Sequence, residues 1–172
     1  NVITKGETLK GNFVWKPQAR KRVPFHWSNA EINISGKLGK ADFTLGLNNT
    51  NNSWRGGGWG DEVVRDATGQ LLFVRDQYGV SQGDSPKLAG TYARKSEAGS
   101  IFNANAAVQL YRNRNFREYD VLTPGQPDSF ELSRNGEDEW NVELGADYEF
   151  ALGGGRLKLI GFHRFEHSEP YG

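Results

Sequence analysis

The 172-residue chain contains no cysteine, no methionine, no surplus charge of either sign and no long apolar run. Without cysteine there is no disulfide framework, no thiolate metal site and no thiol nucleophile. Lys plus Arg is 21 and Asp plus Glu is 21, which gives no support for a nucleic-acid partner, because such domains carry a basic surplus. The basic stretch Lys16 to Arg22 (KPQARKR) is therefore read as solvated loop. No apolar run approaches the roughly 18 residues of a spanning helix, and no signal peptide is visible. That excludes a helical membrane protein but not a barrel, whose strands are short and only half apolar. The chain opens on Asn1, which reads as a processed mature chain or an excised piece. Hydrophobic content of 36% and a mean hydropathy of −0.69 are low for a large dry core.

What is present is alternation. Trp140, Val142, Leu144, Ala146, Tyr148 and Phe150 alternate with Asn141, Glu143, Gly145, Asp147 and Glu149. A two-residue period puts the first set on one face of a strand and the second on the other. Ala151 to Gly155 reads as a tight connection, and a second strand follows from Leu157. The same pattern recurs over Leu9 to Trp15, Ala30 to Leu38, Phe43 to Asn48, Lys87 to Lys95 and Ile101 to Arg117. Pro17 ends the first of these, since proline cannot donate to a ladder. The fold class expected is all-β, an antiparallel up-and-down meander of about seven strands.

The connections sort by length. Gly39-Lys40, Ser96 to Ser100 and Ala151 to Gly155 are short, whereas those at Gln18, at about 49–85 and at about 118–139 are long and polar. The second of these is long enough to hold a small ribbon of its own. Short and long alternate, so short turns gather at one end of the sheet and long loops at the other. Outer-membrane barrels segregate loop length in this way, and soluble sandwiches have no reason to. On this reading the apolar faces meet lipid, and Glu31, Asp42, Glu143, Asp147 and Glu149 face a wet lumen. The whole chain, 1–172, is then one partial barrel region with external loops at 49–85 and 118–139.

NVITKG at Asn1 to Gly6, the Gly11-x-Phe13-x-Trp15 strand after it and the LGADYEF…GGGRLKLIG hairpin resemble the plug–barrel junction and early barrel strands of TonB-dependent outer-membrane receptors. The resemblance implies a full barrel of about 22 strands with a plugged lumen, located in the bacterial outer membrane. It implies active uptake of a scarce ligand (a metal chelate, a sugar or a peptide), driven by an energy-coupling periplasmic protein that acts through the plug. This chain has neither the plug nor a motif for that partner, so it reads as a fragment of the barrel. Its free sheet edges are expected to self-associate. Two alternatives stay open: a complete small barrel serving as adhesin or pore, and a soluble β-sandwich or lipocalin-like binding module.

No enzyme, cofactor or metal is read from the residues. His163 and His167 are about 13 Å apart along a strand, too far to share an ion, and His26 is remote in sequence. Gly56 to Gly60 lacks the Lys-Ser/Thr of a phosphate loop, and Glu137, Asp138 and Glu139 lack EF-hand spacing. Asn48-Asn49-Thr50 and Asn51-Asn52-Ser53 match glycosylation acceptors, relevant only in a eukaryotic secretory setting. The stretch singled out for ligand binding is Trp54 to Arg65, where Trp54, Arg55, Trp59 and Arg65 offer stacking faces and anion partners among glycines.

Overall fold

A computed structural model describes residues 9–50 and 53–172. The junction hexapeptide Asn1 to Gly6 and the acceptor pair Asn51-Asn52 lie outside the described residues. Among the described residues eleven strands form in chain order: β1 Lys10–Trp15, β2 Gln18–Arg20, β3 Val23–His26, β4 Ala30–Leu38, β5 Ala41–Asn48, β6 Trp54–Arg65, β7 Leu71–Asp84, β8 Lys87–Lys95, β9 Ile101–Leu122, β10 Ser129–Leu152 and β11 Gly155–Tyr171. Seven of them make one antiparallel meander in the order β1-β4-β5-β8-β9-β10-β11. The all-β class and the meander expected from alternation are therefore present.

Register explains the alternation. Phe13, Ile32, Leu47, Leu88, Val108, Val142 and Phe165 are direct cross-strand partners and form one apolar row across all seven strands. A parallel row holds Ile34, Leu45, Ala106, Leu144 and His163. The apolar positions of β9 from Phe102 to Leu110 cover about 27 Å of strand, close to the ~25 Å apolar band of outer-membrane barrels. Arg94 is the one cation on this face of β8, in the row of Leu38, Ala41 and Phe102 beside the short turns. Aromatic side chains stand at both margins: Phe43, Tyr92, Phe102 and Tyr148 near the short turns, Trp15, Trp27 and Trp140 near the long connections.

The three wall turns at one rim are as tight as expected. In the Gly153-Gly154 turn the first glycine has a φ of +59°, and Gly39 has a φ of +62° in the turn before β5; both lie in the left-handed region that glycine adopts without strain. The opposite rim differs from the expected loops. Residues 49–85 hold a β6–β7 ribbon whose second strand also pairs with the upper part of β9. Residues 118–139 are mostly strand, because β9 and β10 run on for 22 and 24 residues before a turn at 123–128. The acidic stretch Asn135 to Glu139 stays in the ladder, where Arg114 grips Asp138 with two hydrogen bonds of 2.8 and 2.7 Å. The basic loop after Pro17 folds into the small β2–β3 ribbon.

Very little of this molecule is internal. Among the described residues the buried apolar side chains are Ala41, Ala107 and Val121, while the buried polar ones are His26, Asn29, Asn49, Ser85 and Asn141. The apolar row named above is largely bare: Phe13, Ile32, Leu47, Leu88, Val108 and Phe165 are all between 41% and 64% exposed, and Val142 is half-buried. Over these apolar rows a second layer of protein is absent among the described residues; the small β2–β3 ribbon lies against β6.

Candidate functional site

The wall has two chemically opposite faces. The five acidic residues assigned to the lumen, Glu31, Asp42, Glu143, Asp147 and Glu149, share the face opposite the apolar rows. Each is matched by a neighbour. Glu31 accepts from Asn33 and, at 3.0 Å, from Asn48. Asp42 pairs with Lys37 at 2.7 Å, and Asp147 takes Lys158 at 3.3 Å and Asn103 at 2.9 Å. Glu143 lies between Lys87 at 3.7 Å and Arg164 at 3.9 Å, and Glu149 pairs with Arg156. Exposed pairs of this kind are worth little individually, but together they leave a polar face without an excess of either sign.

The four loop residues singled out by sequence all fall on β6, yet the strand separates them. Trp54 and Arg55 point to opposite faces, as neighbours on a strand must. Trp54 lies flat over Gly83, its indole donates to Ser81 at 3.3 Å, and its ring centroid is 6.2 Å from that of Tyr111. A Cβ on Gly83 would sit 2.1 Å from that indole, so glycine is what lets the ring lie down. Trp59 is half exposed under the Arg22 guanidinium, 4.9 Å from its ring centroid. Arg65 caps its own hairpin by donating to the Gly69 carbonyl at 3.1 Å. These side chains do not converge on one ligand position.

Arg55 instead belongs to a polar cluster at the base of the long connections. It donates to the carbonyls of Trp54 and Gly83, both at 2.8 Å, and pairs with Asp84 at 2.7 Å. The other Asp84 oxygen accepts from Ser28 at 2.6 Å, Asn49 at 3.0 Å and Ser53 at 3.3 Å. Asn49 also accepts from the Ser85 backbone N–H at 2.8 Å, and Gln109 donates to Ser85 Oγ at 2.7 Å. Burial pushes the Asp84 carboxyl up, but the hydrogen bonds of Ser28, Asn49 and Arg55 outweigh it and hold the group below the ordinary aspartate range. His26, 1% exposed, bonds Ser53 Oγ through Nε2. Burial and the Arg55 charge hold its pKa below the ordinary histidine value, with Asp84 opposing.

Ser53, His26 and Asp84 are thus in mutual reach, but in the wrong order for nucleophilic catalysis. A triad needs the carboxylate on the far histidine nitrogen, with the serine proton free to pass to the near one. Here Asp84 accepts a hydrogen bond from Ser53 at 3.3 Å, and among the described residues no partner meets the buried His26 Nδ1. What the arrangement does is tie the first and second connections to the end of β7 and to β9. Sequence reasoning missed this hub because its hydrogen-bonded partners lie up to 56 residues apart and no short motif joins them.

His163 and His167 lie along β11 as read from the sequence, the first edge-on to Phe165 at 4.1 Å, the second bonded to Glu169 at 2.9 Å. Gly56 to Gly60 form part of β6 beside β7, flooring an open groove of about 550 Å³. Glu137, Asp138 and Glu139 lie in the β10 ladder. Comparison with protein-family models, with curated proteins and with solved structures finds no match to this chain.

Proposed function

We propose that the chain forms part of the wall and external ribbons of a bacterial outer-membrane transport barrel of the TonB-dependent receptor kind. The observation that carries this reading is the seven-strand apolar row, exposed at six of its seven positions and backed by a charge-balanced polar face. Leaving it in water is unfavourable by about 25 cal/mol for every Å² of apolar surface. Lipid removes that cost, and the aromatic margins sit where barrel girdles sit. In this reading the polar face lines the lumen, the ribbons at 54–84 and 112–139 stand outside the membrane, and the role is ligand uptake rather than catalysis. The ligand class stays with the resemblance: a metal chelate, a sugar or a peptide. The energy-coupling protein would act through a plug that is not in this sequence.

The sheet is open as described, with β1 paired only to β4 and β11 only to β10. Unpaired edges template further strands, so in this reading they pair with the rest of a barrel or with a second copy. That favours a barrel segment over a self-closed small barrel. The test is to express the chain with an export signal, fractionate the membranes, and reconstitute it with brominated lipids. Retention in the outer membrane and quenching of Trp140 by brominated acyl chains is the expected result. A stable monomer in detergent-free buffer with unquenched tryptophan would return the soluble binding module to first place.

A further inference from the structure

The first long connection carries charge of one sign. Between Leu9 and Ala30 stand Lys10, Lys16, Arg20, Lys21 and Arg22 and no acidic residue, in a chain whose net charge is zero. Lys16, Arg20 and Lys21 are exposed and pair with no described carboxylate. Such a run is ordinarily just a solvated surface; its place on the sheet says more.

The ribbon lies on the same side as the apolar rows. Continuous register carries the face of Leu110 up β9 to Phe116 and Glu118, across to Val80 and Tyr78 of β7, and on to Gly57 and Trp59 of β6. The β2–β3 ribbon is laid over that face. Val23 Cγ2 is 3.1 Å from where a Gly57 Cβ would stand, the Tyr78 hydroxyl donates to the Arg22 carbonyl at 3.2 Å, and Arg22 covers Trp59.

Its feet stand at the aromatic margin. Trp15 Nε1 donates to the Trp27 carbonyl at 2.8 Å, and Trp15, Phe25 and Trp27 are all more than half exposed beside the cations. Lys16 is next to this margin, and Arg20 is up to about 13 Å further along the chain. Beyond the ribbon the same face turns acidic, with Asp61, Asp76 and Asp120 in one cross-strand row. Apart from the mutually paired Arg55–Asp84 and Arg114–Asp138 on this face, the order is therefore apolar, aromatic with cationic, then acidic. A bilayer edge is stratified in that order, with phosphates in the middle layer; a nucleic acid lying along the ribbons would meet the acidic row.

We infer that the β2–β3 ribbon with Lys16, Arg20 and Lys21 binds phosphate-bearing lipid headgroups in the leaflet that the Trp15–Trp27 margin enters. Basic side chains near an anionic leaflet attract it additively and within a Debye length, and tryptophan fixes their depth at the headgroup level. The inference rests on the wall reading and adds to it a site for the surrounding lipid.

The experiment uses the full chain in nonionic-detergent micelles, titrated with phosphatidylglycerol or phosphatidylcholine and followed by tryptophan fluorescence. Wild type should prefer phosphatidylglycerol, and the preference should shrink as salt rises. The triple variant Lys16→Gln, Arg20→Gln, Lys21→Gln should lose about fivefold in apparent affinity per cation removed, with phosphatidylcholine binding unchanged. Continued quenching of Trp140 by brominated lipid in the variant shows that the wall survives, so a lost preference belongs to the ribbon. A variant that keeps the full preference overturns the inference and leaves the wall reading standing. So does a wild type that binds a single-stranded oligonucleotide as tightly as phosphatidylglycerol. A chain that needs no detergent overturns both.

Discussion

Below the margin marked by Trp15 and Trp140, the sheet is held by its backbone ladder and exposed ion pairs, and its large apolar side chains lie exposed on one face. Above that margin the same sheet is held by side chains: Asp84 gathers Ser28, Asn49, Ser53 and Arg55, and Arg114 grips Asp138. The lower region leaves its large apolar side chains exposed, whereas the upper one is tied together by bonds between its own side chains. The protein is inverted relative to a soluble domain, with polar residues inside at the loop base and apolar ones outside on the wall.

The contrast breaks most visibly if one face of the wall is given the other's chemistry. Val108→Arg, in the middle of the apolar row, should destabilise the chain folded in vesicles by about 2–4 kcal/mol. Asn105→Arg, on the polar face of the same strand and exposed, should change it little. Urea unfolding in vesicles measures both, and equal costs would erase the difference between the faces. At the loop base, Asp84→Ala strands the nearly buried Arg55 guanidinium. A fully buried broken pair costs 3–5 kcal/mol, and partial exposure of Asp84 brings the expectation to about 2 kcal/mol. The loss should appear as faster hydrogen exchange in β6 and β7 with unchanged protection in β4 and β5.

A smaller effect is expected where Trp54 lies on Gly83. Gly83→Ala should cost about 1 kcal/mol by forcing the indole up, and Trp54→Leu in the same chain should recover part of it. The smallest effect is one of pH. The folded His26 resists protonation, so as pH falls below the ordinary histidine value of about 6.5 the opened loop base binds a proton that the closed one refuses. Exchange protection of β6 and β7 should therefore be flat above that pH and decline below it. His26→Gln should remove that decline. The Asp84 contribution persists to lower pH and is lost only as pH drops through its depressed folded pKa.

Much of the wall was legible in the sequence, because a strand wet on one face and apolar on the other writes its period into the residues. Lys87–Lys95 forms over the residues expected, and Ala30–Leu38 and the hairpin after Trp140 follow their alternation closely. The upper strands were illegible for the converse reason. Over Glu118 to Glu139 and Trp54 to Asp84 both faces are polar or glycine-rich, so period two vanishes although the ladder continues. The grouping of Trp54, Arg55, Trp59 and Arg65 as one binding loop rested on residue type. The strand that carries them turns Trp54 to the opposite face from Arg55 and commits Arg55 to Asp84.

Because the native chain has no cysteine, single cysteines placed one at a time along β9 from Phe102 to Leu110 test the central claim without background. With the chain in lipid vesicles, a water-soluble maleimide should label positions 103, 105 and 109 and spare 104, 106 and 108, while a bilayer-partitioning reagent shows the reverse; position 107 is left out because Ala107 is buried. Uniform labelling along the strand, or the same protection pattern in detergent-free solution, would contradict a wall with one face in lipid.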